Sequence, residues 1–347
     1  MIGSQVVTAV AAGATLLAVV ALVVVAQRRS RRELARAEEH VRPVLYRALD
    51  EGTFDTRTID ALTPVQQRCL EGQARGLLHN LSGRDRDTLA RLLDHRGAVE
   101  AARQQTRSTR AEQRAEAGNL LADAGSPAAV RDLLKLLHDP DPQVRWAAAR
   151  GLGRLGHPSA LSPLLASLEG ARPMPFDVVA DAVFQIRDCP VSLLRQGLKS
   201  RSMPTRAVTV ELLGRFQALV AAEDITGLLH HDPSVEVRAR AARSLGRMGS
   251  PRALPSLLIC LNDGPVAVRA MTIWALGEIG GPEARGALRS TLIGPSHQVR
   301  GLAAEALAAL GPAGIEVLTE VAASDRTGSA AAARALSTRD CLEPAHS

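Results

Sequence analysis

The chain has 347 residues, 46% hydrophobic and 22% charged, enough to bury a substantial core. Aromatic residues make up only 2%, which argues against a β-sandwich core and favours close-packed helices of Leu, Val and Ala. The net charge of +6 admits an anionic membrane or nucleic acid as partner, and the four cysteines, Cys69, Cys189, Cys260 and Cys341, are too scattered for a disulfide framework or a zinc site and fit a reducing compartment.

Residues 6–26 read VVTAVAAGATLLAVVALVVVA, 21 positions without a charge. As a helix they extend about 31 Å, the thickness of a bilayer core. The preceding MIGSQ has no Lys or Arg, so the run does not read as a cleaved signal peptide. It is followed by QRRSRRELAR, with Arg28, Arg29, Arg31 and Arg32 placed to flank the membrane. Positive charge on that side predicts a single-pass span in the cell membrane, residues 1–5 outside and the body in the cytoplasm. The span itself is the predicted lipid contact.

Residues 27–83 carry this basic segment and then two helical patterns, LARAEEHVRPVLYRALDEG and LTPVQQRCLEGQARGLLHNL, joined by a polar stretch. They are expected to form an N-terminal helical cap on the remainder of the chain.

From residue 84 onward the chain repeats itself. QVRWAAARGLGRLGHP recurs as EQRAEAGNLLADAGSP, EVRARAARSLGRMGSP, AVRAMTIWALGEIGGP and QVRGLAAEALAALGPA, with arginines at 114, 145, 238, 269 and 300. Neighbouring arginines stand 31 residues apart, and the 93 residues between Arg145 and Arg238 hold two degenerate copies, near Asp177 and at Arg206. In each good copy an Asp-Pro turn starts a helix whose apolar positions form one stripe: Val144, Ala148, Gly151, Leu152 and Leu155 in the first. Gly156, Gly249, Gly280 and Gly311 are expected to stop these helices, and the prolines two residues on (Pro158, Pro251, Pro282) to start the next. One period therefore holds two antiparallel helices. A single pair cannot hide both its stripes, so the copies must stack. The predicted fold is all-α: an N-terminal transmembrane helix, then an α-solenoid of about seven helix pairs over residues 84–337, and a disordered tail over 338–347.

The patterns Asp-Pro-x-x-x-Val-Arg and Ala-Ala-x-x-Leu-Gly-x-x-Gly, seen best over 139–156 and 232–249, resemble HEAT-like repeats of the short phycobilisome-lyase type. That resemblance implies a ladder between repeats, made by each turn Asp and the Arg six residues on: Asp139 with Arg145, Asp232 with Arg238, Asp263 with Arg269. The ladder should weaken at Arg300, which has Gly294 in place of the Asp, and at Asp177, which replaces the Arg.

Catalytic signatures are not found. GLGRLG follows a helical run and recurs with the repeat, whereas a phosphate loop follows a strand. The hydroxylases that these repeats resemble hold metal with His-Glu dyads, and none of the nine histidines precedes a Glu. The expectation is no enzyme, no cofactor and no metal. Off the apolar stripe lie Trp146, Arg150 and Arg154, then Arg240, Arg243 and Arg247, then Met271 and Trp274. The resemblance puts this helix on the concave side, and Trp and Arg are enriched at binding hot spots. The sequence thus predicts a membrane-anchored cytoplasmic scaffold that binds a protein, a membrane-associated enzyme among the candidates, through those residues. An accessory subunit of a lyase or isomerase is the alternative. Nucleic acid is not expected, because 36 acidic residues interleave with the arginines.

Overall fold

The computed structural model describes residues 2–342 apart from 79, 127, 187, 325 and 326, with side chains at 22, 24, 25 and over 27–338 apart from those five. Every regular element among these residues is helical. The chain divides into two compact units, Met1–Gly151 and Leu152–Ser347.

The first unit contains α1 (Ile2–Glu51), α2 (Thr56–Asp60), α3 (Pro64–Leu78), α4 (Gly83–His95), α5 (Ala98–Gln105), α6 (Ala111–Asp123) and α7 (Ala129–Leu136), and α8 (Pro142–Leu155) spans the division. The expected border between anchor and cap is no break, because α1 runs through it. Ala37, Val41, Leu45 and Ala48 recur at helical spacing and are buried, with α3 packed alongside. The cap is therefore built partly from the C-terminal half of α1. Among the described residues no helix is long and apolar enough to cross a membrane. The predicted span, 6–26, and residues 2–5 of the outer segment fall in a stretch of α1 whose side chains lie almost entirely outside the described residues, as does residue 1 altogether.

The second unit contains α9 (Leu161–Ala166), α10 (Phe176–Phe184), α11 (Val191–Gly197), α12 (Met203–Arg215), α13 (Ala222–His231), α14 (Val235–Met248), α15 (Leu254–Cys260), α16 (Val266–Ile279), α17 (Gly281–Ile293), α18 (His297–Ala309), α19 (Pro312–Ala322) and α20 (Ser329–Leu342). The even-numbered helices from α10 to α18 carry good or degenerate copies of the repeat motif, and α12, α14, α16, α18 and α20 pack one on the next. α20 reaches Leu342, so helix replaces the first part of the expected disordered tail. Residues 343–347 lie outside those described.

Small residues set the spacing. Eight positions after the repeat Arg stand Gly214, Gly246 and Gly277, each against the residue six positions after the Arg of the next copy. A Cβ on Gly246 would lie 2.6 Å from the Ala275 Cα, one on Gly214 2.8 Å from the Ser244 Cα, and one on Gly277 3.1 Å from the Ala306 Cβ. The same relation joins Gly153 to Ala182. Counting back six from Ala182 puts Phe176, not Asp177, at the arginine position of the degenerate copy. Asp177 is exposed.

Helix ends follow the glycines. Gly249 is left-handed (φ 59°, ψ 29°), while Gly280 and Gly311 combine φ near 70° with ψ of −159° and −149°, a region essentially confined to glycine. The equivalent in the α12 copy is Gln217, at φ 50°.

Candidate protein-interaction surface on the second helices

The repeat arginines and turn aspartates form a ladder, but not with the expected partners. Asp139 accepts from the backbone N–H of Asp141 at 2.9 Å, and Asp232 from that of Ser234 at 2.9 Å, so each carboxylate first shapes its own turn. Its oxygens then take the guanidinium fork of the preceding copy: Arg114 to Asp139 at 2.7 and 2.7 Å, Arg206 to Asp232 at 2.7 and 3.1 Å, Arg238 to Asp263 at 3.3 and 3.4 Å. The arginine six residues after the turn donates instead to the turn's backbone carbonyl: Arg145 to Asp139 at 3.0 Å, Arg238 to Asp232 at 2.9 Å, Arg269 to Asp263 at 2.8 Å. The pairs Asp139–Arg145, Asp232–Arg238 and Asp263–Arg269 are thus corrected. Six residues bring each arginine back over its own turn, where the free group is a carbonyl, and the carboxylate faces the neighbouring copy. Arg300, with Gly294 before it, bonds carbonyls alone. Burial alone would raise the Asp139 pKa, but the Arg114 hydrogen bonds, the Asp141 N–H and the charges of Arg114 and Arg145 outweigh it and leave the carboxyl below its ordinary value.

The predicted binding residues fare differently from one another. In the first unit Trp146 is half-buried and Arg150 exposed on α8. In the second unit Arg154 is half-buried. Arg240 lies over the Phe176 ring at 3.9 Å and pairs with Glu236 at 2.9 Å and Glu211 at 3.7 Å. Arg247 pairs with the other oxygen of Glu211. Two of the predicted arginines are therefore committed within the chain, clasped across α12 by a buried acid. Met271 and Trp274 are half-buried, and the Trp274 ring rests against Gly246 of the preceding copy. Arg243 is exposed and pairs with no carboxylate among the described residues.

Sequence reading missed Phe176, Asp181, Phe184, Glu211 and Arg215. Arg215 stacks on Phe184 at 4.0 Å and pairs with Asp181 at 3.0 Å. A signal was present in the rows that successive copies make. Five positions after the repeat Arg stand Asp181, Glu211, Arg243, Trp274 and Glu305, and nine positions after it stand Arg215, Arg247 and Glu278. The observed pairs, Asp181–Arg215 and Glu211–Arg247, join the first row to the second row of the next copy. Arg243, Trp274 and Glu305 of the first row and Glu278 of the second have no such bridge among the described residues, and Leu302, two positions after Arg300, lies outside both rows.

No three His, Cys, Asp or Glu side chains gather as metal ligands would among the described residues. The profile describing HEAT repeats matches residues 99–175, 191–270 and 256–337, more than half of the chain. The chain belongs to the HEAT-repeat family.

Solved structures with the same kind of fold include importin beta, with a TM-score of 0.50 and 15% identity over 76% of this chain and 46% of that one. Kap95 in the Kap95:Nup1 complex gives 0.50 and 14% over 75% and 41%. The complex of CpcE and CpcF of phycocyanin lyase from Nostoc sp. gives 0.30 and 22% over 71% and 94%. At these identities the likeness to importin beta and Kap95 speaks of fold alone. No curated protein matches the sequence. In HEAT-repeat terms the even-numbered helices from α6 to α18 are second helices, and their outward face carries the Arg and Trp positions of the two rows.

Proposed function

We propose that this protein is a membrane-held scaffold whose HEAT repeats bind a partner protein through the outward face of α14, α16 and α18. HEAT-repeat solenoids typically act as protein-interaction scaffolds. The observation that carries the reading here is the contrast within one row. Asp181 and Glu211 are bridged to arginines of the next copy, whereas Arg243 of the same row stands exposed; on α18, outside that row, Leu302 keeps 36% of its surface open. An exposed guanidinium on α14, a half-open indole on α16 and an apolar side chain on α18 together suit an acidic segment with an apolar anchor. The scaffold acts by binding and not by catalysis.

The membrane component rests on the 21 uncharged residues of 6–26 and the arginines after them. Arg28, Arg29, Arg31 and Arg32 are all exposed on α1, where headgroups would meet them, and the HEAT repeats face the cytoplasm. Anchoring raises the effective concentration of a membrane-associated partner, so a weak contact suffices. The test is crosslinking of the full chain in its native membranes, comparing the wild type with Arg243→Glu and with Leu302→Asp. Loss of the same crosslinked species from both variants, at unchanged melting temperature, is expected. Undiminished recovery would sink the surface assignment. Digestion of a C-terminal tag in intact cells would overturn the cytoplasmic placement.

A further inference from the structure

We propose a second binding site, for a phosphate-rich anion, between the first helices α5 and α7 of the first unit. These helices and the turns after them line a solvent-open cleft of about 520 Å³, a volume suited to a small organic ligand. Four cations line it: Arg103, Arg107, Arg131 and Lys135. The acids beside them are already occupied. Asp139 is held by Arg114 at 2.7 Å, while Asp132 and Glu100 lie 3.4 and 3.6 Å from Arg103. Arg107, Arg131 and Lys135 are exposed and pair with no carboxylate among the described residues. Arg103 Nε is buried and faces the Asp132 carboxylate at 3.4 Å without a hydrogen bond.

The fold does not demand these cations. Arg131 and Lys135 stand four apart on α7, where like charges repel. They lie eight and four residues before the turn residue Asp139. The same offsets from Asp263 hold Pro255 and Ile259, and from Gly294 hold Gly286 and Ser290. Three cations without a carboxylate partner around one cleft, Arg107, Arg131 and Lys135, the last two absent from those sister copies, are what a multiply charged phosphate ligand requires. Arginine forks take its oxygens in pairs and lysine supplies a point charge. A phosphorylated lipid headgroup and a soluble polyphosphate share this chemistry.

The chain contains two lysines, Lys135 in the cavity and Lys199 elsewhere, both exposed, so amine labelling carries its own reference. The full chain would be labelled in detergent with and without inositol trisphosphate. In a second arm it would be labelled in phosphatidylcholine nanodiscs with and without phosphatidylinositol bisphosphate. Ligand should slow labelling of Lys135 by about tenfold at saturation, in line with a charge-assisted site, and leave Lys199 unchanged. Arg107→Ala/Arg131→Ala should abolish the protection at unchanged melting temperature. Protection in the first arm assigns a soluble anion, and protection in the second alone assigns a lipid. Equal slowing of both lysines, protection that survives the double substitution, or none in either arm would overturn the site.

Discussion

Arg114 and Asp139, 25 residues apart in sequence, meet in a two-pronged ion pair with both N–O distances at 2.7 Å, and 8% of the Asp139 surface is exposed. Breaking a buried pair on one side strands the other charge. Asp139→Ala and Asp232→Ala should each lower stability by about 3 kcal/mol in urea unfolding. Arg269→Ala should cost only about 1 kcal/mol, because Gly294 stands where the next turn carboxylate would be and, among the described residues, Arg269 bonds the Asp263 and Gly264 carbonyls alone.

The same pair sets an acid response. Burial works against the charged Asp139, but Arg114 and the Asp141 N–H lower its folded-state pKa below the reference 3.8. Its stabilising contribution is therefore complete above about pH 4 and is lost as pH falls through the lower folded value. Urea midpoints measured between about pH 6 and pH 3 should fall less steeply below pH 4 in Asp139→Asn than in the wild type.

Gln217 occupies the helix-stop position with φ of 50° where Gly249 serves in the next copy. A side chain there is strained, and its amide recovers only a 3.4 Å bond to the Arg247 carbonyl. Gln217→Gly should raise stability by about 0.5–1 kcal/mol. A drop in the unfolding midpoint would show that the amide contact outweighs the strain.

Gly246 meets the Ala275 backbone so closely that a methyl group would stand 2.6 Å from its Cα. Neither backbone gives way easily, so Gly246→Ala should cost about 2–3 kcal/mol. The exposed Gly227, with nothing within 4 Å of an added Cβ, should accept alanine with no loss and a slight gain in thermal melts.

Burial pushes the Cys189 thiol up to about 11 from its ordinary 9.0. At pH 8 its thiolate population should be about a hundredfold below that of an unburied thiol. Iodoacetamide alkylation followed by mass spectrometry should show Cys189 lagging a model thiol accordingly. Parity would mean that the segment before α11 opens readily.

The sequence by itself determined the local grammar: which stretches are helices, the 31-residue period, the glycine stops and the stacking that the apolar stripes require. Those features depend on neighbours within a turn or two of helix, where residue type and spacing act directly. It also determined the family, through the turn and stripe residues common to the copies. Only the tertiary structure decided the partners. Asp139 sits six residues from Arg145 and 25 from Arg114, yet its carboxylate faces the distant one, because stacking sets the direction of a side chain and sequence distance does not. For the same reason Arg240 and Arg247, read as free binding residues, turn inward to Glu211 on a helix whose copy of the motif is degenerate. Arg243 is left as the open guanidinium of that row, since the residue its position would pair with in the next copy, Glu278, forms no bridge to it.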